Sequence, residues 1–132
     1  MAPSYTLKKA ERLSLKKRIE MLFSAGSSLS LYPVKILWLP FDGSSEFPVQ
    51  FMCTVSSKRF KNAVTRNRIK RRVKEIFRLR KSILYEELDK DHIKLLICII
   101  YTGNDPYPGY ADLDKVIGKS LDSLIRTLRS AG

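Results

Sequence analysis

The sequence predicts an α+β fold with elements in the order α-β-β-(β)-α-β-α, and three stretches carry that prediction. Residues 49–56 alternate, with Val49, Phe51, Cys53 and Val55 set against Gln50, Met52, Thr54 and Ser56, which is the period of a half-buried strand. Residues 93–101, Ile-Lys-Leu-Leu-Ile-Cys-Ile-Ile-Tyr, are β-branched and apolar on both faces. Such a run is a central strand, reached by a crossover helix and therefore parallel to its neighbour. Between the two lies a basic stretch, residues 58–81, most of it helical, with twelve Lys/Arg and one acid, Glu75. Its apolar residues Ile69, Val73, Ile76 and Phe77 still share one helical arc about 100° wide.

The first helix is expected over about residues 14–23, where Leu15, Ile19, Leu22 and Phe23 recur at helical spacing. Gly26, followed by Ser27-Ser28, stops it. A short extended piece at 29–31 precedes a strand at 34–41. Residues 40–48, rich in Pro, Gly and Ser, read as the loop that joins this strand to the alternating one as a hairpin. The basic helix should begin near Ala63 or Thr65 and run to about Leu88, ending beside Glu86, Glu87, Asp89 and Asp91. Residues 103–109 hold two Gly and two Pro and read as a loop. The last helix, about 112–129, buries Leu113, Val116, Ile117, Leu121, Leu124, Ile125 and Leu128. No repeat, long linker or low-complexity tract interrupts the chain, so 1–132 reads as a single domain.

Charge narrows the function. Eleven of the chain's net twelve positive charges lie within 58–81, a density that repels itself unless a polyanion lies beside it. Opposite the apolar arc stand Asn67, Lys70, Arg71, Lys74, Arg78 and Lys81, which gives one face for a core and one for phosphate. Acids are nearly absent there, so like pairs such as Arg66/Lys70 and Lys70/Lys74 cost a few tenths of a kcal/mol each without a counter-charge. Lys58, Arg59 and Lys61 extend the surface, and residues 1–18 add six Lys/Arg against Glu11. Arg66 and Arg68 offer planar forks for phosphate pairs, and Asn67 can hydrogen-bond a base edge or a backbone group. Phe23 and the two strand faces supply an apolar component of the kind that stacks single-stranded RNA, although ordinary core packing accounts equally well for Phe23 and Trp38.

Other chemistry is poorly supplied. His92 is the one histidine, Cys53 and Cys98 lack CxxC spacing, and no zinc or nucleophile–base arrangement can be built from them. None of the six glycines forms a phosphate loop. Both cysteines sit in apolar runs and read as buried thiols in a reducing cytosol. The start, MAPSYTLKKAERL, lacks the apolar region of a signal peptide, and the longest apolar run is far short of the ~20 residues of a membrane span. A cytoplasmic nucleic-acid binder that is no catalyst by itself is expected.

Residues 61–72, Lys-Asn-Ala-Val-Thr-Arg-Asn-Arg-Ile-Lys-Arg-Arg, follow a strand ending Val55-Ser56-Ser57-Lys58-Arg59. In that context they resemble the "RNR" signature of the protein subunit of bacterial ribonuclease P, and the match extends more loosely over most of the chain. The resemblance implies a two-layer, ribosomal-protein-like α-β-β-β-α-β-α sandwich whose β-α-β crossover is left-handed. It also implies an endonuclease by virtue of its RNA partner: ribonuclease P RNA performs the hydrolysis with Mg2+, and the protein binds no cofactor alone. Its partners would be that RNA and precursor tRNA, with no membrane and no DNA. On this reading Lys58, Arg59, Lys61, Asn62, Arg66, Asn67, Arg68, Lys70, Arg71, Arg72 and Lys74 contact RNA. Ile19, Phe23, Trp38, Gln50, Met52 and Thr54 line a cleft for the 5′ leader of precursor tRNA. The chain departs from the family where Ile19 replaces a frequent aromatic, where Gln50-Phe51-Met52 replaces Arg-x-Gly, and where one extra residue lies between Val55 and Asn62. The alternative is a structural, ribosomal-type RNA binder. A DNA regulator is weaker, since no second short helix precedes Arg66 to make a helix-turn-helix.

Overall fold

The computed structural model describes residues 7–43 and 45–131; residues 1–6, 44 and 132, which include the start of the N-terminal basic segment, lie outside it. A 3-10 turn, Lys9–Glu11, leads into α1 (Lys16–Ala25), β1 (Ser27–Leu31), β2 (Val34–Pro40), β3 (Val49–Val55), α2 (Ala63–Lys90), β4 (Leu95–Tyr101) and α3 (Tyr110–Ala131). The expected α+β order is present, and the short piece at 29–31 is a full strand.

Local chemistry sets the boundaries. The Gly26 N–H donates to Leu22 O at 2.9 Å and closes α1, where a Cβ would stand 2.4 Å from that same oxygen. Only glycine permits so close an approach. Asn62 caps α2, its side chain accepting from the Val64 N–H at 2.8 Å. β1 and β2 form a tight hairpin around Tyr32-Pro33.

The four strands lie in the order β1-β2-β4-β3. β4 is central, antiparallel to β2 and parallel to β3, as its two apolar faces require. The expected hairpin between β2 and β3 is therefore corrected: β4 inserts between them, and Phe41 and Pro48 both bond to the start of β4. The Phe41 N–H donates to Lys94 O at 3.1 Å and the Leu95 N–H to Pro48 O at 2.8 Å. The physical reason is burial, since β4 has no polar face to give an edge, whereas β3 has one in Gln50 and Thr54.

Helices α2 and α3 cover one face of the sheet. Val34, Ile36, Trp38, Val49, Phe51, Val55, Leu95, Ile97, Ile99 and Tyr101 meet Ile69, Val73, Ile76, Phe77, Leu84 and Leu88 of α2 and Leu113, Ile117, Leu121, Leu124 and Ile125 of α3. The Phe51 and Phe77 rings stack with centroids 4.0 Å apart. Each such buried side chain contributes ~1.5–3 kcal/mol. Helix α1 lies across the opposite face, where Leu13 and Leu22 bury Leu96 and Cys98.

Candidate nucleic-acid interface

At about 100° per residue α2 divides into four strips. The apolar strip packs on the sheet as described. Opposite it, Asn67, Arg71 and Lys74 are exposed. On one flank Arg68 and Arg72 lean toward the loop before α3, and on the other Lys70 and Lys74 approach β3. The Cys53 thiol, which donates to Lys70 O at 3.6 Å, records that approach. Burial pushes it up to about 11 against the opposing pull of Lys74 and Lys70.

The arginines at the start of the helix are engaged with backbone. Arg66 Nη1 donates to Phe60 O at 2.7 Å and Lys61 O at 2.9 Å, binding the entry loop to the first turn. Arg59 donates to Thr102 O, and to Asn104 Oδ1 at 3.3 Å. Arg68 Nη2 reaches Pro106 O at 3.3 Å, and Arg72 Nη1 reaches Pro108 O at 2.6 Å. Lys58 and Lys61 project from the entry loop and are exposed. Asn62 spends its side-chain oxygen on the cap.

Lys81 does not join the phosphate face. It is 3% exposed, and its Nζ donates to Glu11 Oε2 at 2.5 Å. The Tyr85 hydroxyl donates to the same oxygen at 2.6 Å, and the Lys8 N–H to Glu11 Oε1 at 2.9 Å. Burial pushes the Glu11 carboxyl up, but the hydrogen bonds from Lys81, Tyr85 and Lys8 outweigh it and hold the group below its ordinary value. This cluster pins the N-terminal segment beside α2, and the Leu13 N–H then donates to Phe51 O at 2.8 Å along the outer edge of β3. Arg12 thereby joins Arg71, Lys74 and Arg78 around an open cleft of about 480 Å³, with Leu7 and Glu75 completing its wall. Arg12 was absent from the residues the sequence assigned to RNA, whereas Arg78 stood on the phosphate face of the helix from its spacing alone. The excess of Lys/Arg over acid in residues 1–18 was the available signal for Arg12.

The second candidate surface lies across the sheet. Three cross-strand rows face α1: Leu39, Leu96 and Gln50; Leu37, Cys98 and Met52; Lys35, Ile100 and Thr54. Leu22 of α1 covers the first two rows, while Phe23 stands 50% exposed and Ile19 is half-buried. Arg18 Nη1 donates to Gln50 Oε1 at 2.8 Å, and its guanidinium lies 4.9 Å from the Phe41 ring centroid. Ile19, Phe23, Gln50, Met52 and Thr54 thus share this side. Trp38 does not, which corrects its placement in a cleft. It is 8% exposed within the core against α2 and α3, because it alternates in phase with Val34 and Ile36.

The acids serve structure. Asp114 holds Arg80 at 2.7 Å between α2 and α3, and Glu87 holds Arg129 at 2.5 Å and Lys90 at 3.1 Å. Among the described residues no three His, Cys, Asp or Glu side chains converge as metal ligands. His92 is exposed at a turn with φ 54 before β4, and Cys53 and Cys98 are free thiols. No described helix is long and apolar enough to cross a membrane.

A family model described as Ribonuclease P matches residues 7–104. A ribonuclease P protein component from Porphyromonas gingivalis is 33% identical over 122 residues, covering 90% of this chain and 86% of that protein. The same component from Chlorobium phaeobacteroides is 30% identical, covering 90% and 88%. Among solved structures, the RNase P protein from Thermotoga maritima superposes with a TM-score of 0.68 at 22% identity, covering 86% of this chain and 96% of that one. The Staphylococcus aureus RNase P protein gives 0.67 at 20% identity, covering 88% and 96%. At such identities the structural likeness is one of fold.

Proposed function

This chain belongs to the ribonuclease P protein family, and from that premise we propose how its two surfaces divide the work. It is a subunit of the enzyme that processes tRNA 5′ ends, and RNA binding follows from that membership. In our reading its partners are ribonuclease P RNA and precursor tRNA, and hydrolysis belongs to the RNA. Mg2+ supplies charge neutralisation and an activated water to that reaction. Among this chain's acids Glu11, Glu87 and Asp114 are committed to ion pairs, and no Mg2+ ligand is assigned to the chain.

The observation that carries the reading is the outer face of α2. There Arg71, Lys74 and Arg78, joined by Arg12, surround a cleft whose one acid among the described residues is Glu75. Cations so placed neutralise phosphates, a salt-dependent term that ignores sequence. They also screen the repulsion between two RNAs brought together at one active site. Lys58, Lys61, Asn67 and Lys70 extend the contact. Arg59, Asn62, Arg66, Arg68 and Arg72 shape it through the backbone groups they hold, keeping the arginines' positive charge at its rim. Across the sheet, the exposed Phe23 of α1, with Met52, Thr54 and Lys35 on the strand face that α1 crosses, offers stacking and one cation to the single-stranded leader. Two free thiols fit a reducing cytoplasm.

The test is cleavage of a 5′-extended precursor tRNA at low magnesium, with and without a bacterial ribonuclease P RNA. The protein should be inactive alone and should restore accurate cleavage by the RNA. Binding without rescue would instead mark a structural RNA binder.

A further inference from the structure

We propose that Tyr107 is a nucleobase-stacking platform of the RNA interface, presented by a loop that the basic helix holds rigid. The inference rests on the RNA-binding reading above and adds to it a residue outside both surfaces. Tyr107 is 64% exposed, unlike Tyr101, which is buried with its hydroxyl donated to Asp105 O at 2.8 Å. The Arg68 guanidinium carbon lies 3.9 Å from the centroid of the Tyr107 ring, a cation–π contact that occupies one ring face. Arg68 Nε is buried without a hydrogen-bond partner among the described residues, and the bond from its Nη2 to Pro106 O is 3.3 Å long. The guanidinium is thus set against the ring at the expense of its own hydrogen bonds.

The loop around the ring is fastened at every step. Arg59 holds Thr102 and Asn104, Arg68 holds Pro106 and Arg72 holds Pro108. The Tyr107 N–H donates to Asp105 Oδ1 at 2.8 Å. A large exposed aromatic on a loose loop would lose much of its binding energy to ordering, and a fastened one has already been ordered. The three arginines keep their charge while bonding carbonyls, so phosphates on either side of a stacked base meet cations. The ligand is an unstacked RNA base in a loop, bulge or single strand, since every base has a π-face and paired ones are unavailable.

The test uses the full chain and its Tyr107→Ala and Tyr107→Phe variants. Each is titrated at several salt concentrations against a bacterial ribonuclease P RNA and, separately, a 5′-extended precursor tRNA. Tyr107→Ala should weaken binding to one of them about 5- to 150-fold with an unchanged salt slope, and Tyr107→Phe should bind like the parent. Whichever RNA responds is the source of the base. Unchanged affinity for both would overturn the platform. So would a steeper slope in Tyr107→Ala, because the ring would then only have covered Arg68, and so would a Phe variant as weak as the Ala variant. Arg71→Ala/Lys74→Ala separates the readings. If that pair lowers affinity and slope while Tyr107→Ala does nothing, only the platform falls. If the pair does nothing, RNA binding by α2 falls.

Discussion

Glu11 meets two cation or hydroxyl donors on one oxygen and a backbone N–H on the other, so removing it takes the counter-carboxylate away from the buried Lys81 ammonium. Glu11→Ala should cost about 3–5 kcal/mol in denaturant unfolding, whereas the apolar pair Glu11→Leu/Lys81→Met should recover most of that loss. The pH dependence has a definite sign. Glu11 is held below its ordinary value of 4.5 in the folded chain, so its contribution is present above that pH and fades as pH falls below it. Urea titrations of the parent and of Glu11→Gln should therefore converge in acid, and a gap that stayed constant below pH 4 would remove the carboxylate from the account. None of this was legible in the sequence. A helical wheel places Lys81 beside Lys74 and gives no hint that a segment 70 residues earlier folds over it. Trp38 was ambiguous for a related reason: alternation shows which residues share a face, not which face meets a helix. As a core residue, Trp38→Ala should cost about 3–5 kcal/mol of stability and leave the RNA affinity of the folded fraction unchanged.

At the scale of elements, α2 was the most legible part of the chain, because a 3.6-residue apolar period survives within a run of Lys and Arg. Its start, its length and its parallel exit into a two-faced strand all follow from residue order. What the sequence could not separate was cations that face solvent from cations that hold backbone. Arg66 and Arg71 read alike, yet Arg66 bonds Phe60 O and Lys61 O while Arg71 lines the cleft. The two should differ in kind. Arg71→Ala/Lys74→Ala should flatten the dependence of log affinity on log salt by about 1.4–1.8, the slope of two lost phosphate contacts. Arg66→Ala should instead loosen the 56–62 entry loop, seen as faster amide exchange there, with a smaller change in slope. Equal slope losses for Arg66→Ala and Arg71→Ala would deny this division.

In the whole molecule the sheet acts as a partition. β4, apolar on both faces, can sit only at the centre, and its insertion between β2 and β3 puts α2 and α3 on one side and α1 on the other. The hairpin expected from 40–48 would have left β4 at an edge. Non-local pairing of this kind is the least visible feature of a single sequence, because each strand's pattern fits either neighbour. The consequence for function is that the phosphate face and the Phe23 face share no side chain, so their contributions should add. Phe23→Ala should weaken binding of 5′-extended precursor tRNA to the reconstituted complex by about tenfold, the worth of one stacked base, and leave mature tRNA unaffected. Arg71→Ala/Lys74→Ala should weaken both. The triple variant should then lose the sum of the two free energies within about 0.5 kcal/mol, as distant independent sites do. Strong coupling between them would mean that the leader reaches past the sheet to α2, and equal weakening of mature tRNA by Phe23→Ala would remove the leader from the α1 face altogether.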